Sequence, residues 1–206
     1  MDVKIKICGI TNLADATAAV EAGADALGFM FYEESPRAVT VETAAEIVRH
    51  LPAWILKVGV FVNPSPDLVM TALGACALNL LQFHGDESPE FCASFGVMSI
   101  KAFRVKDADS LLPMPDYRTD VFLLDSFVNG KAGGTGEKFN WDLAVQAKKF
   151  GKPIFLAGGL TPENVRNAVR EVQPFGVDVS SGVESAPGKK DHGKIWEFVQ
   201  AARNAA

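Results

Sequence analysis

The fold of this chain is decided near its start, by the stretch Val3-Lys4-Ile5-Lys6-Ile7-Cys8-Gly9-Ile10-Thr11-Asn12. Apolar side chains alternate with lysines over its first half and predict a strand that ends at Cys8. Thr11 or Asn12 then caps an amphipathic helix that runs to about Ala22. A strand followed at once by a helix is the repeating unit of α/β folds.

The same unit recurs along the whole chain. Short, almost continuously aliphatic segments alternate with helical ones, as expected for parallel strands that are buried on both faces. The predicted strands are Val3–Cys8, Ala24–Phe29, Leu56–Val62, Leu78–Gln82, Ser99–Phe103, Val121–Asp125, Pro153–Leu156 and Gly176–Val179. The helices predicted after the first one are Val41–His50, Asp67–Gly74, Pro89–Phe95, Asp107–Leu112, Trp141–Phe150, one opened by Thr161-Pro162-Glu163, and Gly193–Arg203.

Eight strand–helix units in 206 residues favour an α/β fold with a single (β/α)8 TIM barrel over residues 1–206. An open doubly wound sheet is the alternative, although such sheets usually stop at five or six strands. The glycine-rich segment Lys131–Glu137 resembles a linker, but strands flank it on both sides. We therefore expect it to be part of a mobile active-site loop, Ser126 to Lys138, rather than a domain boundary.

Composition excludes several classes of function. Hydrophobic residues make up 48% of the chain and the net charge is −5 without a basic run, which argues against nucleic-acid binding. The three cysteines are widely spaced, which indicates a reducing compartment rather than a disulfide framework. We see no signal peptide and no apolar run of membrane-spanning length. We expect a soluble, cytoplasmic protein with no nucleic-acid or membrane partner.

Chemically active side chains cluster where the predicted strands end, which is the face on which a barrel carries its active site. These positions are Cys8, Arg37, Asn63, His84, Arg104, Asp125, Gly158-Gly159 and Ser180-Ser181-Gly182. The glycine and serine loops follow the last two strands, where barrels bind phosphate through backbone N–H groups and a short extra helix. Two ordinary tight turns are the plainer alternative for these loops.

Asp125 and Cys8 form a candidate acid–base pair. Asp125 ends an apolar run, and partial desolvation there favours the protonated form that a general acid needs. Cys8 would be the complementary base if neighbouring donors favour its thiolate. Together they suit proton transfer across a sugar without a cofactor. A loop-anchoring aspartate and a buried structural cysteine are the alternatives.

The remaining candidates are a carboxylate site and a metal site. Arg37 follows Ser35-Pro36 in a loop that could aim its guanidinium at a carboxylate, unless it is simply a solvated arginine. His84 is more typical of a packing residue. The three histidines are not at metal-ligand spacing, and no G-x-G-x-x-G follows the first strand, so we expect neither a metal nor a dinucleotide cofactor.

Seven segments together resemble the phosphoribosylanthranilate isomerase family of tryptophan biosynthesis, in order and over nearly the whole chain. They are Lys6-Ile7-Cys8-Gly9-Ile10-Thr11, Ser35-Pro36-Arg37, Gly59-Val60-Phe61-Val62-Asn63, Leu81-Gln82-Phe83-His84-Gly85, Asp125 with Gly133-Gly134-Thr135-Gly136, Leu156-Ala157-Gly158-Gly159-Leu160, and Gly176-Val177-Asp178-Val179-Ser180-Ser181-Gly182-Val183-Glu184. Phe83 departs from the leucine usual in the family, but it is also apolar.

The resemblance implies an Amadori rearrangement of N-(5-phosphoribosyl)anthranilate to 1-(2-carboxyphenylamino)-1-deoxy-D-ribulose 5-phosphate, without a cofactor. Asp125 would protonate the furanose ring oxygen and open the ring to a Schiff base, and Cys8 would remove the proton from C2′. Arg37 would hold the anthranilate carboxylate, with His84 and Asp178 also at the substrate. The residues implied at the phosphate are Gly158, Gly159, Ser180, Ser181 and Gly182. The partner is then a small phosphoribosyl molecule, and the protein a monomer or a homodimer.

Three other enzyme classes and one non-catalytic function are the alternatives to this family. Indole-glycerol-phosphate synthase shares a barrel and a phosphate site, but it needs a lysine acid among the strand ends, whereas Lys57 and Lys101 are expected at strand beginnings. The histidine-pathway sugar isomerase uses paired aspartates, where this chain has Cys8. A metal-dependent pentose phosphate epimerase lacks its ligands here. A non-catalytic phosphate-sugar binding protein is the alternative outside enzymes, and nothing in the sequence favours it.

Overall fold

The computed structural model describes residues 2–126 and 141–205. Eight parallel strands close into a barrel in the order of the chain, so the predicted (β/α)8 fold is confirmed. The strands are β1 (Lys4–Cys8), β2 (Ala26–Met30), β3 (Leu56–Phe61), β4 (Leu80–Phe83), β5 (Ser99–Val105), β6 (Val121–Ser126), β7 (Ile154–Leu156) and β8 (Gly176–Val179). Their ends lie within two residues of the predicted ones.

Helices cover the outside of the barrel. They are α1 (Leu13–Ala22), α2 (Val41–Arg49), α3 (Pro66–Ala75), α4 (Pro89–Ala93), α5 (Trp141–Ala147), α6 (Val165–Val172) and α7 (His192–Arg203). Asn12, not Thr11, caps α1, because its side chain accepts the backbone N–H of Asp15. Thr11 instead donates its hydroxyl to the carbonyl of Gly188, 2.6 Å away. That bond ties the first loop of the barrel to the last.

The helix predicted at Asp107–Leu112 is the largest local difference. A 3-10 helix at Ala108–Leu111 is followed by a second one at Met114–Asp116. Pro113 and Pro115 explain this, since proline donates no N–H and obstructs the preceding turn of an α-helix. A further element was not predicted. A short hairpin, β9 (Glu184–Ala186) and β10 (Lys189–Lys190), follows β8.

Side chains pack in two layers because successive residues of a strand point to opposite faces of the sheet. The large layer lies between strands and helices. A smaller cluster fills the barrel itself and includes Cys8, Val60, Ala102 and Phe155. Lys6 precedes Cys8 by two residues and therefore shares the interior face of β1. Over the described ranges, no helix has the length and apolar character needed to span a membrane.

Candidate active site

The thiol of Cys8 lies inside the barrel at the end of β1. The residue is 6% exposed and belongs to the interior cluster. Burial raises the pKa of this thiol above its ordinary value, and the ammonium group of Lys6 opposes that shift. Cys8 is placed where a base could reach a substrate in the barrel mouth, but it depends on cationic neighbours to lose its proton.

Lys6 and Asp178 form an ion pair in the interior below Cys8. They are register partners in the parallel pairing of β1 and β8, and Lys6 Nζ lies 2.8 Å from Asp178 Oδ1. Lys6 is completely buried. Burial by itself would lower the pKa of Lys6, but the carboxylate of Asp178 and the thiol of Cys8 raise it above its ordinary value. Lys6 therefore carries a positive charge beside the thiol.

Asp125 is joined to His84 on another part of the barrel rim. Its side chain, on β6, is 30% exposed, and its Oδ2 lies 3.1 Å from Nε2 of His84. The other ring nitrogen of His84, Nδ1, lies 3.1 Å from the amide nitrogen of Gln82, which is buried in β4. His84 therefore lies between the Gln82 amide and the candidate acid, with one ring nitrogen facing each. His84 is thus a partner of the candidate acid rather than a simple packing residue.

Arg37 is held by a carboxylate of the same chain. Its Nε and Nη2 donate to the two carboxylate oxygens of Glu184 at 2.8 and 2.7 Å. This two-point geometry is the strongest form of arginine–carboxylate pairing. Arg37 is therefore not the solvated arginine of the plainer reading. Its Nη1 is the guanidinium nitrogen that this pairing with Glu184 leaves uncommitted.

Lys190, in the hairpin, also binds the carboxylate of Glu184. Its Nζ donates to Glu184 Oε1 at 2.9 Å and to the backbone oxygen of Ser180 at 3.2 Å. Burial raises the pKa of Glu184, yet the hydrogen bonds from Arg37 and Lys190 hold it below its usual range. Glu184 is therefore ionised, and it fastens the loop after β2 to the loop after β8.

The loops after β7 and β8 present backbone N–H groups. Gly158 and Gly159 have φ of +77° and +67°, a left-handed conformation that only glycine adopts without strain. A 3-10 helix, Ser181–Val183, follows Ser180. Among the bonds formed by the described residues, none is donated by the backbone N–H of Gly158, Gly159, Ser181 or Gly182. Such N–H groups suit an anion.

The predicted residues fall into two groups on the rim. Arg37 and Ser180 meet above Gly9, because a Cβ built on Gly9 would lie 2.6 Å from Arg37 Cδ and 3.0 Å from Ser180 Oγ. This group stands over Cys8 and faces the end of β8. His84 and Asp125 form the second group, at β4 and β6. The strand order separates the two groups around the mouth of the barrel.

The two other strand-end candidates are Asn63 and Arg104. Asn63 holds the loop after β4, since its Oδ1 accepts the N–H of Asp86 at 2.7 Å. Arg104 is exposed. Arg104 is the register partner of Asp125 in the parallel pairing of β5 and β6, so it lies beside the candidate acid.

Sequence reasoning missed Lys6, Gln82, Glu184 and Lys190. Two of them had a signal, because Lys6 and Gln82 each precede a chosen residue by two positions in a strand and so share its face. Glu184 and Lys190 had none, since their contacts depend on the unpredicted hairpin.

Lys101 is the third residue of β5 and lies near the beginning of the strand, as expected. Its side chain lies on the outer face of β5, and Nζ reaches the loop after β4. There it donates to Gly85 O at 2.6 Å and to Glu87 Oε2 at 2.8 Å. Lys101 is paired and buried outside the barrel, so it does not offer an acid in the mouth.

The glycine-rich loop predicted to border the site, with Gly133–Gly136, lies outside the described residues. Within residues 2–126 and 141–205, no group of three or more His, Cys, Asp or Glu side chains could hold a metal ion.

Comparison with known proteins gives a consistent result. The family model described as N-(5'phosphoribosyl)anthranilate (PRA) isomerase matches residues 5–201. A protein of Geobacter sulfurreducens named N-(5'-phosphoribosyl)anthranilate isomerase is 57% identical over 201 residues, covering 98% of both chains. A protein of Geotalea uraniireducens with the same name is 56% identical over 200 residues, covering 97% of this chain and 98% of the other.

Solved structures agree with the sequence relatives. A crystal structure of phosphoribosyl anthranilate isomerase from Thermotoga maritima superposes with a TM-score of 0.93 at 43% identity, covering 98% of this chain and 99% of the other. A second structure holds that type of enzyme in complex with reduced 1-(o-carboxyphenylamino)-1-deoxyribulose 5-phosphate. It superposes with a TM-score of 0.89 at 42% identity, with the same coverage.

Proposed function

The chain belongs to the N-(5'-phosphoribosyl)anthranilate isomerase family, and from that premise we propose how its barrel performs the reaction. The protein is an isomerase of tryptophan biosynthesis. It converts N-(5-phosphoribosyl)anthranilate to 1-(2-carboxyphenylamino)-1-deoxy-D-ribulose 5-phosphate, an aldose–ketose rearrangement in which nothing is lost or gained. The chemistry needs one group to give a proton and another to take one.

Asp125 is the proposed acid. It gives its proton to the furanose ring oxygen, the bond from that oxygen to C1′ breaks, and a protonated Schiff base forms between C1′ and the anthranilate nitrogen. The Nε2–H of His84, 3.1 Å from Oδ2, then stabilises the carboxylate that remains. His84 thus orients the acid and offsets its new charge.

Cys8 is the proposed base. Its thiolate takes the proton from C2′, the C–H electrons form the C1′–C2′ double bond, and the iminium becomes a neutral enolamine. Proton transfer to C1′ and loss of the hydroxyl proton at C2′ then give the ketone. A thiolate is far more basic toward carbon than a neutral thiol, so the charges around Cys8 set the rate.

Arg37 and the glycine loops are the proposed anchors of the two anionic ends of the substrate. The edge of the Arg37 guanidinium that carries Nη1 receives the anthranilate carboxylate, while Glu184 binds the other edge at 2.7 Å. The phosphate is bound by the backbone N–H groups of Gly158, Gly159, Ser181 and Gly182, near Ser180. Asp178, predicted at the substrate, is buried and holds the ammonium of Lys6 at 2.8 Å.

The observation that carries this proposal is the placement of a cation-flanked thiol and a histidine-bonded carboxyl on different strands of one barrel rim. Its test follows the fluorescence of the anthranilate substrate after mixing with purified protein and no added metal. A fall in fluorescence, with the deoxyribulose product identified by mass and NMR, supports the assignment. Unchanged fluorescence over a full range of substrate concentration would refute it.

Two further proposals concern the oligomeric state of the protein and its cellular compartment. One Thermotoga maritima structure, at 41% identity, is described as monomers generated from a dimeric phosphoribosylanthranilate isomerase. That statement concerns its own protein. For this chain we propose a monomer or a homodimer built from one barrel domain of residues 1–206, acting in the cytoplasm. Light scattering on the purified protein would distinguish the two assembly states. No observation favours a synthase or a non-catalytic binding protein.

A further inference from the structure

The interior of the barrel brings an ammonium group and a thiol to one point. Cys8 pairs in register with Gly28 of β2. A Cβ built on Gly28 would lie 2.7 Å from Cys8 Sγ and 3.2 Å from Lys6 Nζ. Real Cβ atoms essentially never approach another atom as closely as 2.7 Å, so a glycine at this position leaves room for the sulfur beside the ammonium. Asp178, at 2.8 Å, fixes Nζ there.

Several charged groups lie around this point. The cations that interact electrostatically with the sulfur include Lys6, Lys190 and Arg37. The carboxylates of Asp178 and Glu184 pair with them, and Asp15 accepts the backbone N–H of Lys190 at 2.9 Å. A thiolate at Cys8 would place its negative charge directly beside the ammonium of Lys6, where the low dielectric of the interior strengthens their attraction.

We propose that Lys6 is a positioning residue for the proton transfer, and that its buried ammonium, fixed by Asp178, stabilises the thiolate of Cys8. The proposal rests on the proposed role of Cys8 as the base. Lys6 acts through the sulfur and lies beneath it on the same strand.

This role makes a prediction that a simple structural ion pair does not. Burial is the largest cause of the raised thiol pKa; the positive charge of Lys6 lowers that pKa, whereas the negative charge of Asp178 raises it further. Removing either partner breaks the same ion pair, yet the two removals should shift the pKa of the Cys8 thiol in opposite directions. Loss of a purely structural ion pair would shift this pKa in the same direction in both variants, or not at all.

The experiment titrates the thiols of the whole protein by NMR of ¹³Cβ-labelled cysteine, with the Cys8 signal assigned from Cys8→Ser. In Lys6→Met the Cys8 midpoint should rise by about 1–3 pH units, and in Asp178→Asn it should fall. If Lys6→Met does not fold, the double variant Lys6→Met/Asp178→Asn leaves no buried charge unpaired. Its Cys8 midpoint should still lie above that of the unmodified protein.

Lys101→Met is the matched control, because Lys101 is also a buried lysine paired with a carboxylate. It acts on Cys92, whose pKa burial raises to about 11 and Lys101 lowers. In this variant the titration midpoint of Cys92 should shift and that of Cys8 should stay unchanged. Equal Cys8 midpoints in the unmodified protein and the double variant, or shifts in one direction in both single variants, would overturn the role of Lys6.

The titration needs no substrate, so it separates this inference from the proposed function. In Lys6→Met, the rising limb of kcat/KM against pH, which reports deprotonation of the base, should move with the Cys8 midpoint. If Cys8→Ser retains full turnover, the assignment of the base fails, whatever the titration of Cys8 shows. If Cys8→Ser is inactive but Lys6→Met leaves the limb in place, only the role of Lys6 fails.

Discussion

Arg37 Nη2 lies 2.7 Å from Glu184 Oε2, and this contact joins the loop after β2 to the hairpin after β8. The two residues are 147 positions apart in the chain. The guanidinium is thereby held rigidly over the first loop, with one face turned away from Glu184. A preorganised guanidinium loses little freedom when it binds a carboxylate.

Arg37→Ala should weaken the binding of the anthranilate-bearing substrate and spare that of inorganic phosphate. Loss of a charge-assisted hydrogen bond costs about 1.5–3 kcal/mol, so KM should rise roughly 10- to 100-fold. Steady-state kinetics and phosphate titration measure the two effects. Arg49→Ala is the control, since Arg49 is an exposed arginine on α2. Equal losses for substrate and phosphate would place Arg37 elsewhere.

Cys8→Ser should lower kcat by about 10²- to 10⁴-fold and leave KM nearly unchanged, because a hydroxyl is a far weaker base at neutral pH. Rapid-quench or steady-state assays at saturating substrate measure kcat. Cys76→Ala removes a thiol buried outside the barrel and should retain the turnover of the unmodified protein. Normal turnover in Cys8→Ser would remove this residue from the mechanism.

Asp125→Asn and His84→Ala should differ in degree. The amide cannot give a proton to the ring oxygen, so kcat should fall by about 10²- to 10⁴-fold. Loss of the histidine removes only a hydrogen bond to the acid, which predicts a fall of about 10-fold. His50→Ala, at the exposed end of α2, is the matched control. A larger loss in His84→Ala than in Asp125→Asn would exchange their roles.

Asp15 predicts how stability depends on pH. Burial raises the pKa of this carboxyl, but the backbone N–H of Lys190 and the ring of His192 hold it below its usual range. A pKa that is lower in the folded state stabilises the fold above about pH 4, the unfolded value, and this contribution disappears as pH falls through the folded value. Urea unfolding of Asp15→Asn should therefore show less acid sensitivity than the unmodified protein. An identical dependence in both would exclude Asp15.

Much of the fold follows from local sequence. The eight aliphatic segments predict the strands, and a capping residue or a proline marks the start of several helices, as with Ser65 and Ser88. The helix predicted at Asp107–Leu112 could also be expected to form two short 3-10 helices instead of an α-helix, since Pro113 and Pro115 follow at once. The hairpin at Glu184–Lys190 was not, because its two strands are too short to carry a periodic signal.

The residues of the candidate site also differ in how readily they can be recognised from the sequence. Cys8 and Asp125 stand out because each ends an apolar strand, a property that the sequence displays. The partner of Arg37 does not stand out, since Glu184 reaches Arg37 only when the last strand of the barrel closes on the first. Lys6 shares the face of Cys8, but it was not selected, because a lysine in a strand usually indicates a solvent-exposed face and here closure of the barrel buries it.

The most direct test of the acid–base assignment is a crystal structure of this protein with the reduced product analogue bound. We predict that Cys8 Sγ lies within about 3.5 Å of C2′, the reach of a near-attack geometry. We also expect the carboxyl of Asp125 on the opposite side of the sugar and the phosphate against Gly159 and Ser181. A sulfur turned into the barrel wall, or an acid on the same side as the thiol, would contradict this assignment.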